Sequence, residues 1–219
     1  MQRTVSLEPD KDPDRSSYLN ASKEDWRERL PILPGHGVVL RHPVEDDADS
    51  LLRHLSTRAV GEFVAPPPDS VEGFCRFIQW SDRQRQLGAS ITYGVVPSSD
   101  RQAVGIIQIW PIEPDYSTAE WGLVLGEQYW GTGLFTRSAQ VMVDFAFRML
   151  NVRRLEARSV AINERATRAL ERLGAQREGV LRAAFQHGTI SLDQVMWSIL
   201  ACEWPSTMEP SRTNCERLQ

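Results

Sequence analysis

Residues 118–150 constrain the fold more than any other stretch of the chain. A strand pattern at 118–125 runs into Gln128-Tyr129-Trp130-Gly131-Thr132-Gly133, and an amphipathic helix pattern at 134–150 runs out of it. In that helix Ala139, Val141, Met142, Phe145, Ala146, Met149 and Leu150 recur at helical spacing. Strand, short glycine turn and helix predict one β-α unit whose helix carries the chain across to a parallel strand. The same layout gathers main-chain N–H groups that the first helical turn leaves without partners. Two glycines let the backbone approach a bulky anion without a Cβ in the way, and the helix dipole adds partial positive charge. The stretch therefore reads as a diphosphate cradle or as an ordinary strand-to-helix turn with two turn glycines. Two common nucleotide loops do not fit. No lysine follows either glycine as a Walker loop requires, and Thr136 stands where a dinucleotide fingerprint has its third glycine. The loop also lies past the middle of the chain, not in a first β-α unit.

The rest of the chain bounds what surrounds that unit. Its 219 residues, 41% hydrophobic and 25% charged, predict one soluble domain with polar extensions. We place a polar N-terminal extension at 1–30, the domain at 31–204 and a polar C-terminal tail at 205–219. A net charge of −4 offers no basic surface, so no nucleic-acid partner is expected. No apolar run reaches membrane-spanning length, so no membrane partner is expected. The first 30 residues lack the apolar core of a secretory signal, although a short helix near 23–29 is expected. Cys75, Cys202 and Cys215 share no metal-like spacing, and His36, His42, His54 and His187 are scattered. We therefore expect no metal, reduced thiols and a cytoplasmic location.

Elsewhere the pattern alternates. Strands are expected at 38–41, 91–96, 104–110, 118–125 and 154–160, with a closing hairpin at 176–185 and 194–200. Ala48, Leu51, Leu52 and Leu55 mark a first helix behind the acids Glu45, Asp46 and Asp47. A second helix follows the Ala65-Pro66-Pro67-Pro68 run. Asp69 and Glu72 make a capping-box pattern there, with Val71, Phe74, Cys75, Phe77 and Ile78 as its apolar face. A short helix at 163–173 ends at Gly174. The tally is about seven strands and four helices, an α/β (α+β) fold with a mixed central sheet.

These residues resemble the GNAT superfamily of acyl-CoA N-acyltransferases. Its loop is Gln or Arg, two variable residues, Gly, one variable residue, then Gly or Ala, which 128–133 matches in full. The order of elements over 34–204 matches as well. Within the superfamily the chain is most similar to the ribosomal-protein N-acetyltransferase (RimJ/RimL-like) branch. The carrying residues are 119–126 ahead of the loop, Asn163, the Leu170-Glu171-Arg172-Leu173-Gly174 helix end, 178–182, and Asp193 before the last strand.

The resemblance implies acetyl-CoA as co-substrate and direct acetyl transfer to an amine, either a protein N-terminal α-amine or a small molecule. It implies diphosphate contacts from the main chain of Gln128, Tyr129, Trp130, Gly131, Thr132, Gly133, Leu134 and Phe135, with help from the Thr136 hydroxyl. Val124 and Leu125 would contact the pantetheine arm where the fourth and fifth expected strands splay at a bulge. An N–H at Leu123 or Val124 would polarise the thioester. Asn163 would touch the arm or cap its helix, and Arg168 and Arg172 face either the CoA phosphates or solvent. Glu120 is the first candidate base and Glu156 the second; the alternative for each is a carboxylate that faces solvent or pairs with an arginine such as Arg158. Leu170 and Ala166 replace the branch's usual tyrosine and serine proton donors, leaving Thr167, a water or no donor for the departing thiolate. A non-catalytic acyl-CoA-binding module is the alternative this departure supports. Walls for the acceptor are expected from 63–68 and 185–189, with Trp80, Trp110 and Trp121 as possible linings. Homodimers are common in the branch, which makes a second copy an implied partner.

Overall fold

The structure, a computed structural model, describes residues 25–205. The elements run α1 (Asp25–Glu28), β1 (Leu33–Gly35), β2 (Val38–Arg41), α2 (Ala48–Leu55), α3 (Arg58–Gly61), α4 (Val71–Gln86), β3 (Ile91–Pro97), β4 (Gly105–Pro111) and β5 (Thr118–Leu125). They continue as α5 (Leu134–Arg148), β6 (Arg154–Val160), α6 (Glu164–Leu173), β7 (Gln176–His187) and β8 (Ile190–Leu200). One eight-stranded sheet has the order β1-β2-β3-β4-β5-β6-β8-β7. Its neighbours are antiparallel except β5 and β6, which pair in parallel across the α5 crossover. The expected mixed sheet is present. The short helix expected near 23–29 is α1 in its described part; the additions are β1, too short and too rich in Pro and Gly to read as a strand, and the single-turn helix α3.

Each face of the sheet buries its own core. On one face α5 and α6 cover Tyr93, Ile107, Trp121, Leu155 and Trp197. Alternation along β5 sends Trp121 and Leu125 to this face. Trp26 of α1 joins the same core, edge-on to Tyr116 at 5.7 Å. Arg85 of α4 is 8% exposed and donates to the Trp26 carbonyl at 3.0 Å, satisfying an orphan acceptor of that short helix. On the other face α2, α3 and α4 cover Val96, Ile106 and Val124 through Leu51, Leu55, Val60, Phe74 and Ile78.

The ends of the helices show why the chain stops where it does. Ser70, not Asp69, caps α4: its extended backbone lets Oγ accept from the Gly73 N–H at 3.2 Å, whereas Asp69 lies one residue too early. Asn163 caps α6 by accepting the Ala166 N–H at 3.1 Å, and Gly174 ends it in the left-handed region. Asp47, with its carboxylate fully buried, accepts from both Arg41 guanidinium nitrogens at 2.7 Å and from the Val44 and Ala103 N–H groups, tying the start of α2 to β2 and β4. Cys75 is a free thiol, but Cys202 is disulfide-bonded, contrary to the expectation of reduced thiols. Whether two sulfurs meet is set by tertiary proximity, on which a cysteine count is silent.

Candidate active site

The site begins where β5 and β6 separate. They pair only at Thr118↔Arg154, Ala119↔Leu155 and Glu120↔Glu156. Beyond Glu120, β5 stays on β4 as far as Leu125↔Gly105, while β6 stays on β8 as far as Val160↔Gln194. The β4–β5 register is unbroken, so the strands diverge without the expected bulge in that ladder. Gly126 donates to the Val104 carbonyl at 3.0 Å and Ile112 to the Thr118 carbonyl at 2.9 Å. Antiparallel alternation then commits the main chain of Glu120, Gly122 and Val124 to β4 and turns that of Trp121, Leu123 and Leu125 toward the gap. Val124 is therefore not the main-chain donor considered for the thioester or the pantetheine arm. Leu123 has that orientation. The Leu125 carbonyl is occupied by the Trp130 indole N–H at 3.0 Å.

The glycine loop closes one end of the gap. Gly131 and Gly133 hold φ of 75° and 81°, which side-chain-bearing residues rarely adopt. The N–H groups of Tyr129 and Trp130 are used within the turn, each at 3.0 Å, and the Leu134 N–H donates to Thr132 Oγ1 at 3.3 Å. The amides of Gly131, Gly133, Phe135 and Thr136 have no protein acceptor among the described residues. Of the expected donors, the amides of Tyr129, Trp130, Thr132 and Leu134 are thus engaged, while those of Gly131, Gly133 and Phe135 stay open at the mouth of α5. Gln128 and Thr132 are exposed, and the Leu134 side chain is buried in the core.

Two cavities meet at the gap. The first, of 420 Å³, is lined by Leu123, Val124, Leu125, Tyr129, Trp130, Gly131, Gly133, Phe135, Thr136 and Asn163, together with Arg165, Ala166, Arg168 and Arg172. Among the described residues no carboxylate lines it. The Arg165 guanidinium lies 3.3 Å from the centre of the Trp130 ring and bridges α6 to the loop. Arg165 carries no recognisable motif; only its offset of two residues from Asn163 could have drawn notice to it. The second cavity, of 460 Å³, is lined by Phe63 and the prolines 66–68, by Phe74 and Phe77 of α4, and by Gln108, Trp110, Gly122 and Arg158. Leu123, Val124, Asn163 and Ala166 line both. Of the expected acceptor walls, 63–68 and Trp110 are present. The 185–189 turn is absent from either lining, Trp121 is core, and Trp80, 42% exposed, lies against Phe77 without lining either cavity itself.

The carboxylates lie in the sheet beside the second cavity. Glu120 and Glu156 are cross-strand partners, with side chains 15% and 13% exposed. Arg158 Nε is 3.5 Å from Glu120 Oε1, while Glu156 accepts from Arg154 Nε at 2.8 Å. Each glutamate thus faces an arginine, the alternative raised for both, with Arg158 beside Glu120 and Arg154 on Glu156. Burial pushes the Glu120 carboxyl above its ordinary value; Arg158 opposes this, Glu156 adds to it, and the Trp110 indole N–H opposes it. Arg154 also holds Glu178 through two bonds of 2.7 and 2.9 Å, and with Ser198 draws that carboxyl down to about 2. On α6, Leu170 is buried in the core, the Ala166 methyl lines both cavities and Thr167 lines neither.

Comparison with known proteins bears on this arrangement. The family model described as an acetyltransferase (GNAT) domain matches residues 38–176. The chain is 26% identical to the uncharacterized N-acetyltransferase p20 of Bacillus licheniformis over 168 residues, which span 76% of this chain and 94% of that protein. It is 30% identical to the spermidine N(1)-acetyltransferase of Escherichia coli strain K12 over 90 residues, 41% of this chain and 48% of that one. RimL, a ribosomal L7/L12 α-N-protein acetyltransferase solved with coenzyme A, shares the fold with a TM-score of 0.71 at 20% identity, over 78% of this chain and 98% of that one. With a match over more than half its length, and with a divergent parallel strand pair and a glycine-mouthed helix in the same stretch, the chain belongs to the GNAT acetyltransferase family.

Proposed function

We propose that the protein transfers an acetyl group from acetyl-CoA directly to a primary amine at the β5–β6 gap. The observation that carries this reading is the meeting of two unlike cavities there, one lined by arginines and open amides, the other by aromatic side chains. The first suits acetyl-CoA. Its polyanionic end would meet Arg165, Arg168 and Arg172 without a carboxylate in the lining, and four unpartnered amides lie at the mouth of α5. Bound there, acetyl-CoA supplies an activated acyl group. The Leu123 N–H, turned into the gap, is suited to stabilise negative charge developing on a carbonyl oxygen.

An incoming ammonium must lose a proton before its nitrogen has a lone pair to offer. Glu120 is the base in this proposal: its raised proton affinity makes it a better acceptor than an ordinary carboxylate, and Arg158 favours its ionised form. It reaches the amine through water, because its neighbours Trp110, Gly122 and Arg158 line the cavity and Glu120 itself does not. Glu156 is engaged by Arg154 and serves as Glu120's electrostatic neighbour, not as a second base. No hydroxyl of α6 lines either cavity, so that helix offers the departing sulfur no side-chain proton donor. A thiolate is a tolerable leaving group near neutral pH, and water can protonate it afterwards. Both acceptor classes, a protein N-terminal α-amine and a small-molecule amine, obey this chemistry.

Calorimetry with coenzyme A and thiol release from acetyl-CoA across an amine panel test the reading. Gly131→Asn isolates the cradle. Asn tolerates the left-handed region, and a Cβ at 131 meets no protein atom within 4 Å, so the side chain enters open space beside the loop. Coenzyme A affinity should fall at least about tenfold, roughly 1.4 kcal/mol, with the melting temperature nearly unchanged. Undiminished affinity would remove the loop from the site.

A further inference from the structure

The acceptor cavity has a composition that selects among amines. Its large walls are the rings of Phe63, Phe74, Phe77 and Trp110, and among the described residues no aspartate or glutamate lines it. A polyamine would bring a second ammonium into this apolar space with no carboxylate to receive it, which disfavours binding. Glu120, whose neighbours Trp110, Gly122 and Arg158 line the cavity, already faces Arg158 and is the base of the proposed reaction.

Arg158 is the one charged residue in the lining among the described residues. Its Nε approaches Glu120, and its guanidinium makes no hydrogen bond to any other protein group among the described residues. A guanidinium carries five N–H donors in a fixed plane. Those left over face a cavity whose other walls are mainly hydrocarbon, and they suit a carbonyl or carboxylate oxygen. The base and these donors are held on one side chain pair, so the amine and the oxygen they recognise should be close in the substrate.

We infer that the acceptor is an α-amino compound with an apolar or aromatic side chain, whose neighbouring carbonyl or carboxylate is received by Arg158. This rests on the acetyltransferase reading of the same site and narrows it. In the step itself the ammonium first gives one proton to Glu120 through water, and the freed nitrogen lone pair forms a bond to the acetyl carbon. The carbon–sulfur bond breaks with its electron pair left on sulfur, and the second proton that the nitrogen sheds as the amide forms passes through water to the departing thiolate, giving the thiol. A free amino acid derivative and a polypeptide N-terminus share this chemistry.

The test measures kcat/KM by thiol release from acetyl-CoA with phenylalaninamide, phenylalanine, phenethylamine, spermidine and a peptide beginning with phenylalanine. Phenylalaninamide should exceed phenethylamine by about tenfold or more, with spermidine the poorest acceptor. Arg158→Gln should bring the phenylalaninamide-to-phenethylamine ratio close to one. That ratio is read within a single variant, so a general loss of turnover does not move it. Phe63→Glu should raise spermidine relative to phenylalaninamide. A peptide preferred over phenylalaninamide and phenylalanine assigns the acceptor to polypeptide N-termini; the reverse assigns it to free amino acid derivatives. Spermidine as the best wild-type acceptor, or a ratio unmoved by Arg158→Gln, overturns the inference and leaves acetyl transfer standing. Thiol release with no amine, together with no heat from coenzyme A, overturns both.

Discussion

Glu120 and Glu156 are the same residue type, paired across two strands, yet their surroundings divide them. Arg154 engages Glu156 at hydrogen-bond distance, while Arg158 approaches Glu120 only to 3.5 Å and burial pushes that carboxyl upward. A base must be ionised to act, so kcat/KM should fall as pH decreases, along a limb displaced above the ordinary carboxylate range. Glu120→Gln should lower kcat by about 10²–10⁴-fold and remove that limb, with coenzyme A affinity near normal. A pH–rate profile that keeps the limb in the variant would place the base elsewhere. The sequence nominated both glutamates, because each stands on a strand beside the loop. It put Glu120 first but could not supply the physical ground for that order, which depends on which arginine reaches which carboxylate: Arg158 crosses to β5 instead of staying with its own strand.

At the scale of elements, the hairpin of β7 and β8 is held to β6 by more than its ladder. Arg154 bridges Glu156 on its own strand and Glu178 on β7, and the Ser198 hydroxyl of β8 donates to Glu178. These contacts lower the Glu178 carboxyl from 4.5 to about 2. A depressed carboxylate contributes stability that is fully present above its unfolded value and is lost as pH falls through the folded one. The urea midpoint of the wild type should therefore exceed that of Glu178→Gln near neutrality, and the two should converge as pH falls toward 2. Glu178 is 40% exposed, so solvent screening keeps the effect modest. A difference that stays constant with pH would show that the clamp does not stabilise through charge. The hairpin was legible as two apolar-polar runs, and α6 was legible from Asn163 and Gly174 at its ends. The capping of α4 was not, because Asp69 and Ser70 are both good caps and only the backbone dihedrals choose between them.

Across the whole molecule, the divided sheet and its two cores produce the site. The strands separate because β5 follows β4 and β6 follows β8 to their ends, leaving a gap with a helix N-terminus on one face and an apolar pocket on the other. The N-terminal helix α1 belongs to this body through Trp26, which is 6% exposed, and through Arg85 on its carbonyls. Trp26→Ala should cost about 3–5 kcal/mol in chemical denaturation, the usual loss for truncating a large buried aromatic. A cost near zero would mean that this helix lies on the domain without supporting it. What the sequence determined by itself was local: the β-α unit, the glycines at its turn, the order of strands and helices and the family they resemble, since periodicity, turn chemistry and motif spacing act over a few residues. What only the tertiary structure decided was which groups face one another: the main chain of Leu123 instead of Val124 toward the gap, Arg165 stacked on Trp130, Arg158 beside Glu120, and a second cavity walled by rings with no acid among the described residues. Those outcomes depend on register and on contacts between segments far apart in the chain, set by how the whole sheet packs against its helices.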